Sequence, residues 1–196
     1  MSDNTLVLPF LEQRSYLHGT TLYQHLRPMA PATVGTCFRI ARVIRSNVIR
    51  LVKGDVAIEP VARIDWTENG IARTLAVEEL PPCSPIHRCP YDESLVSSSM
   101  IVEDYVAYLS DPLPFDTIST AVPLFKETLR INGFAPVDGG QWMFTRLDSH
   151  PIEGNTENQS MKLQLQLVRP RLIAKASVFL AVSKWADMYF SWVPSS

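Results

Sequence analysis

Three cysteines in 196 residues, an odd number, do not make a framework of paired disulfides. Long apolar runs are missing too: none reaches the roughly eighteen residues that a membrane-spanning helix needs, so no membrane partner is expected. The opening Met1-Ser2-Asp3-Asn4 brings no basic residues ahead of an apolar segment, and no signal peptide is expected there. Neither sign of charge dominates. Eighteen basic against twenty acidic residues leave a net charge of −2, which provides no field for nucleic acid. A Gly-x-Ser-x-Gly nucleophile elbow is also absent. What remains is 46% hydrophobic and 19% charged, the composition of a globular chain with a core. The expected location is the cytoplasm.

The stretch Tyr16 to Leu26 turns at His18-Gly19 and enters a predicted helix at Thr20 or Thr21, where a threonine hydroxyl can cap a free N–H. A histidine just before a helix N-terminus sits where unpaired N–H groups and the helix dipole favour negative charge, a place to polarise a carbonyl. After a Pro/Ala/Gly connection, Cys37 to Lys53 reads either as two strands, the preferred reading, with Arg45-Ser46-Asn47 able to turn a hairpin, or as a helix. Val56 to Trp66 and Ile71 to Leu80 form a hairpin around Asn69-Gly70, both of which tolerate positive φ. A proline-rich bridge follows, from Pro81 to Pro90, and then a strand across Ser97 to Leu109.

Thr117 to Asn132 is the second predicted helix, with Ile118, Val122, Phe125 and Leu129 on one face and Gly133 after its end. Gln141 to Leu147 reads as a strand and Glu153 to Ser160 as a surface loop. Leu163, Leu165 and Leu167 alternate with polar residues, the period of a half-buried strand. Arg169-Pro170-Arg171 turns the chain, Leu172 to Val182 returns it, and Lys184 to Asp187 turns it again into Met188 to Val193. That is an antiparallel meander.

The two halves repeat one another. Leu22 to Arg27 is similar to Phe125 to Arg130; Ala30-Pro31 and Ala135-Pro136 follow, then Gly35 and Gly140, at offsets that drift from 103 to 105 residues. Phe38-Arg39-Ile40 then matches Trp142-Met143-Phe144 in kind, and the hairpin Ala62 to Val77 finds a counterpart in Leu163 to Leu180. Each half is thus an extended entry, a long helix and several antiparallel strands, an α+β unit. The expected division is 1–95 and 96–196, together one compact domain.

This arrangement resembles the hotdog fold of the thioesterase and dehydratase superfamily in its tandem, double-hotdog form, each unit a long helix wrapped by a curved antiparallel sheet. The resemblance is one of topology; beyond the histidine at the helix entrance no residue signature carries it. It implies action on an acyl thioester, carried by coenzyme A or an acyl carrier protein, by hydrolysis or by dehydration of a 3-hydroxyacyl group in a biosynthetic pathway. It further implies His18 as base, the N–H groups of Gly19 and Thr20 around the carbonyl oxygen, and a carboxylate from the second half, Asp116 or Glu127, as partner. No metal or redox cofactor is implied. The second half has Asp116-Thr117-Ile118 where the first has its histidine, so at most one of two equivalent sites keeps this chemistry.

Each of these residues also has an ordinary explanation: a turn for His18, a helix cap for Asp116, a solvated face for Glu127. Arg39 and Arg42, with Arg14, Arg27, Arg45 and Arg50, are candidates to meet substrate phosphates or an acidic carrier protein, or form a solvated sheet face. Asp148-Ser149-His150 are neighbours in sequence, which does not make a catalytic triad. Cys83, His87 and Cys89 give three soft ligands where structural zinc wants four, and read as part of a rigid linker. Trp142, Trp185, Tyr189, Phe190 and Trp192 build core, or a surface for pairing into a homodimer if exposed. Two alternatives stand beside the enzyme: a non-catalytic hotdog-like protein that binds a hydrophobic small molecule or assists a biosynthetic complex, and an α+β interaction domain.

Overall fold

The computed structural model describes residues 4–54, 59–135, 139–151 and 159–194. The chain forms two compact units, Met1–Tyr91 and Asp92–Ser196. Both are α+β, each with an antiparallel main sheet and few helices. Among the described residues no helix is long and apolar enough to cross a membrane.

The first unit runs β1 (Thr5–Val7), β2 (Phe10–Leu11), α1 (Gly19–Leu26) with a 3-10 turn over Arg27–Met29, then β3 (Thr36–Ile40), β4 (Val48–Lys53), β5 (Ala62–Glu68), β6 (Ile71–Glu79) and β7 (Arg88–Cys89). Its main sheet has the order β1-β4-β6-β5-β3. Leu22 and Leu26 from α1, with Phe38, Ile49, Ile64 and Val77 from the strands, are all but fully enclosed and form its core. Asn69 and Gly70 turn the β5–β6 hairpin at φ of 51° and 76°, the pair of positive values expected from the sequence. Residues 37–53 are strands, as preferred, but not a hairpin. β3 pairs with β5, while β4 pairs with β1 and β6. The reason lies in residues 41–47, which are held by Glu79: its carboxylate accepts from Arg42 Nη1 at 2.6 Å and from the N–H groups of Arg45 and Ser46 at 2.6 and 2.9 Å. Of the predicted strand Val56 to Trp66, residues 56–58 lie outside the described residues.

The proline-rich bridge returns to the N-terminal segment. β7 pairs in parallel with β2, and the Arg88 guanidinium donates to the carbonyls of Glu12 and Arg14 at 2.5 and 2.9 Å. This clip carries Tyr91 back toward the entrance of α1.

The second unit runs α2 (Ser94–Ser99), β8 (Ile101–Glu103), β9 (Val106–Leu109), α3 (Thr117–Ile131), β10 (Gln141–Ser149), β11 (Met161–Arg169), β12 (Ile173–Leu180) and β13 (Ser183–Val193). Its sheet order is β8-β9-β11-β12-β13-β10. The strand expected over Ser97 to Leu109 is instead a short helix and a hairpin turned at Asp104, whose φ is +52°. The turn expected at Lys184 to Asp187 falls earlier, at Ala181-Val182, and β13 runs unbroken; Val182 is 95% exposed, an apolar residue spent in a turn. Most of the predicted loop Glu153 to Ser160 lies outside the described residues. The leucine alternation holds for Leu163 and Leu165, then fails at Leu167, which is 42% exposed. A bulge between Leu165 and Leu167 shifts the register there, and such bulges also bend a sheet.

α3 packs Val122, Leu124, Phe125 and Leu129 into the core of this unit, with Phe125 edge-on to Phe190 at 4.5 Å. Trp142, Trp185 and Phe190 are buried. Trp142 stands edge-on to Trp192 at 5.5 Å. Gly140 makes room for that pair, since a Cβ there would lie 2.2 Å from the Trp192 ring. Gly140→Ala should therefore displace the ring and lower stability by about 1–3 kcal/mol in a thermal melt.

On β13, Asp187 is ringed by Lys184 (2.8 Å), Lys175 (3.0 Å) and the Ser177 hydroxyl (2.8 Å). Burial pushes its carboxyl up, but the hydrogen bonds from Lys184, Ser177 and Lys175 outweigh it and hold the carboxyl below its ordinary value. A carboxyl depressed on folding stabilises fully above its unfolded pKa and loses that contribution as pH falls through the folded one. Urea midpoints should thus fall below about pH 4, and Asp187→Asn should remove part of that acid dependence.

Candidate active site

His18, not a threonine, is the N-cap of α1. Its backbone is extended (φ −74°, ψ 142°) and its side chain does not cap; the carbonyl of His18 accepts from Leu22 N–H at 3.1 Å. The imidazole Nδ1 instead lies 2.7 Å from the Thr20 hydroxyl. Tyr16 and Tyr91 stand on either hand, ring centroids 6.3 and 6.2 Å from the imidazole, and the Arg14 guanidinium lies 5.7 Å over the Tyr91 ring. The result is a histidine only 5% exposed. The helix itself offers no acceptor to the N–H groups of Gly19, Thr20 and Thr21. A first turn whose N–H groups have no acceptor within the helix and no side-chain cap suits an oxyanion.

The entrance of α3 is built differently. Asp116 is its N-cap, and one carboxylate oxygen accepts from the N–H groups of Ile118 and Ser119, both at 3.1 Å. Beside it opens a cavity of about 380 Å³, walled by Leu109, Pro112, Leu113, Phe115 and Met161, with Asp116, Thr117, Thr120 and Gln159 as its polar members. An apolar cleft with a few convergent polar groups is the usual form of a small-molecule site. The sequence reading missed this cavity, although Pro112-Leu113-Pro114-Phe115, an apolar proline-rich approach to a capped helix, was its signal.

Glu127 lies on α3 and is bound to Arg130 at 2.6 and 2.8 Å, within the same helix. The hydrogen bond from Arg130 holds its carboxyl below the ordinary value, against the effect of burial. A carboxylate kept ionised in this way has no proton to give near neutral pH. Arg42 is engaged with Glu79, as described above. Arg39 is different: among the described residues its buried Nε has no hydrogen-bond partner, and Arg63, its directly registered neighbour, carries the same charge. Like charges directly opposite on a sheet repel. Both line a smaller cavity of about 290 Å³ with Glu59 and Pro60. The Nε of Arg63 reaches Asp65 at 3.1 Å.

Cys83 and Cys89 are exposed free thiols, and Asn47 holds the Cys83 segment by donating to its carbonyl at 3.2 Å and accepting from its N–H at 3.1 Å. Among the described residues no group of three or more His, Cys, Asp or Glu side chains is gathered to hold a metal ion. His150 donates its backbone N–H to Trp185 O at the end of β10, and Ser149 is buried in that strand.

No protein-family model matches the sequence, and no curated protein matches it. Solved structures do match. A protein assigned as a thioesterase II from Thermobifida fusca YX is similar over 98% of this chain and 94% of its own, at 13% identity and a TM-score of 0.51. The pyran synthase domain from module nine of the sorangicin pathway is similar over 98% and 93%, at 13% identity and 0.51. A bifunctional dehydratase-cyclase domain of ambruticin biosynthesis is similar over 95% and 87%, at 12% identity and 0.50. The fold is hotdog-like. His18 and Asp116 are the residues just before α1 and α3.

Proposed function

We propose that this hotdog-like chain acts on acyl thioesters carried by coenzyme A or an acyl carrier protein, as a thioesterase or a 3-hydroxyacyl dehydratase, in the cytoplasm. The observation that carries the reading is the cavity at the entrance of α3, with the Asp116 carboxylate among its polar members and an apolar wall suited to an acyl chain. A single carboxylate can serve hydrolysis as general base, drawing a proton from water as the water attacks the thioester carbon. His18, at the entrance of α1, is the first unit's own and separate candidate for proton transfer. Gly19 and Thr20 supply N–H groups for a carbonyl oxygen at the entrance of α1. Glu127 and Arg42 are left out, because their ion pairs within the fold account for them. Arg39, with Arg63, is the candidate for substrate phosphate.

The two units are tandem hotdog repeats in this reading, the chain passing from one to the other between Tyr91 and Asp92. Their element order supports it. Each has two strands, then its longest helix, then four strands of its main sheet, and the first strand after the helix (β3, β10) lies at one end of its unit's order. The middle differs, since β4 neighbours the last strand β6 while β11 neighbours the very next strand β12. A crossing of that kind is a divergence the sequence repeat does not reveal.

The test is direct. The protein is assayed for thiol release from acyl-CoA substrates of several chain lengths, and for enoyl formation from a 3-hydroxyacyl-CoA. His18→Ala should lower dehydration by at least about tenfold and hydrolysis less; equal rates in both assays would remove His18 from the mechanism. Arg39→Met should raise KM for an acyl-CoA by roughly tenfold with kcat little changed, as loss of uniform binding does. No turnover of any acyl thioester by the wild type would leave the non-catalytic binding protein as the better reading.

A further inference from the structure

The core face of the first unit's sheet extends past the helix that covers it. α1 has eight residues and so spans about 12 Å, whereas the nine residues of β6 span about 30 Å. On that face Ile64, Val77 and Ile49 are completely buried. Two residues further along each strand's face, in order β5, β6, β4, come Trp66, Leu75 and Leu51; two further still come Glu68, Arg73 and Lys53. The apolar floor thus acquires charges along it, Lys53 opposite Leu75 and Arg73 opposite Trp66. A cavity of about 590 Å³ occupies this place, with Leu51, Leu75, Met29 and Trp66 on its apolar side and Lys53 and Arg73 at its edge.

Two further features point to a ligand. The Trp66 indole N–H is buried and finds no acceptor among the described residues, whereas the Trp142 N–H donates to Phe134 O at 2.8 Å. An unmet buried donor is uncommon in a folded chain and asks for a partner. Lys53 forms no ion pair among the described residues, and Arg73 reaches Glu68 at 3.6 Å, so among the described lining residues two cations stand with one carboxylate. An apolar floor with a cationic margin is complementary to an anion on an apolar body.

We propose that this cavity binds a small amphipathic carboxylic acid, with its aliphatic chain laid along Leu51, Leu75 and Met29 and its carboxylate held by Lys53 and Arg73. The site lies at the opposite end of α1 from His18, involves none of the residues assigned to thioester chemistry, and does not depend on that assignment. The experiment is isothermal titration of the full chain with sodium octanoate, with octan-1-ol as the uncharged control. Octanoate should bind saturably and more tightly than octanol. The double variant Lys53→Met, Arg73→Gln should weaken octanoate by roughly tenfold or more, the loss of a charge-assisted contact. Both positions are solvent-exposed, so the variant keeps its fold. In parallel, octanoate should change the tryptophan emission of the wild type but not of Trp66→Phe. Absence of binding, equal binding of octanol, or an unaltered affinity in the double variant would overturn the proposal. Octanoate held at the α3 cavity instead would show itself by surviving the double variant. Failure of the thioester assays would leave the expected titration unchanged.

Discussion

Asp116→Asn should lower thioester turnover by roughly 10²–10⁴-fold while leaving the melting temperature almost unchanged. Asparagine caps a helix about as well as aspartate does, so the two hydrogen bonds to Ile118 and Ser119 N–H survive the substitution. What disappears is the basic carboxylate at the cavity. Asp116→Ala provides the complementary control, because it removes base and cap together and should add a stability loss of about 1 kcal/mol. The contrast separates two roles that the sequence alone cannot separate. If the residue were only a cap, Asn would turn over like the wild type and Ala would be merely less stable. Matching kcat values for Asn and wild type would therefore end the catalytic reading of the α3 entrance.

The distinction matters because the two helix entrances are chemically unlike. At α1 the cap side chain is turned away toward Thr20, and the first-turn N–H groups are left for an acceptor from elsewhere. At α3 the cap claims two of those groups for itself. Oxyanion binding therefore suits the first entrance and a positioned carboxylate suits the second.

Local pattern reveals some features of this chain and conceals others. The 3.6-residue spacing of Ile118, Val122, Phe125 and Leu129 placed α3 correctly, and Asn69-Gly70 placed its hairpin, because each signal is contained within one element. The segment 41–47 was opaque because its conformation is set by Glu79, more than thirty residues away. Val182 read as strand because an apolar residue in a tight turn has no local mark. The helix start slipped by a residue or two because His18, an uncommon N-cap, caps only through its backbone, and the threonines after it are the commoner choice. For the site, residue type identified the candidates, but only the fold shows that Glu127 and Arg42 are already paired and that Asp116 borders a cavity. Burial of His18 was equally invisible, since Tyr91 arrives from a distant part of the sequence by way of the β2–β7 clip.

Phe125→Ala should be the most damaging single truncation in the second unit, costing about 3–5 kcal/mol and lowering its melting temperature by roughly 10–20 °C. Phe125 is fully enclosed on α3 and meets Phe190 edge-on at 4.5 Å; Phe190 in turn faces Phe144 at 5.8 Å. The ring thus joins the helix to two strands, β10 and β13, and its removal costs aromatic contact as well as buried area. Phe125→Leu keeps most of the volume and should cost about 1.5 kcal/mol or less. Circular-dichroism melts of the two variants give the test, and an alanine variant melting within a few degrees of wild type would show that α3 is not anchored through this ring. The consequence reaches the proposed chemistry, because Asp116 is held only as firmly as the helix that it caps. Well below its melting temperature the leucine variant should keep nearly full turnover, while the alanine variant should lose turnover before it loses helix content, as α3 loosens over the core.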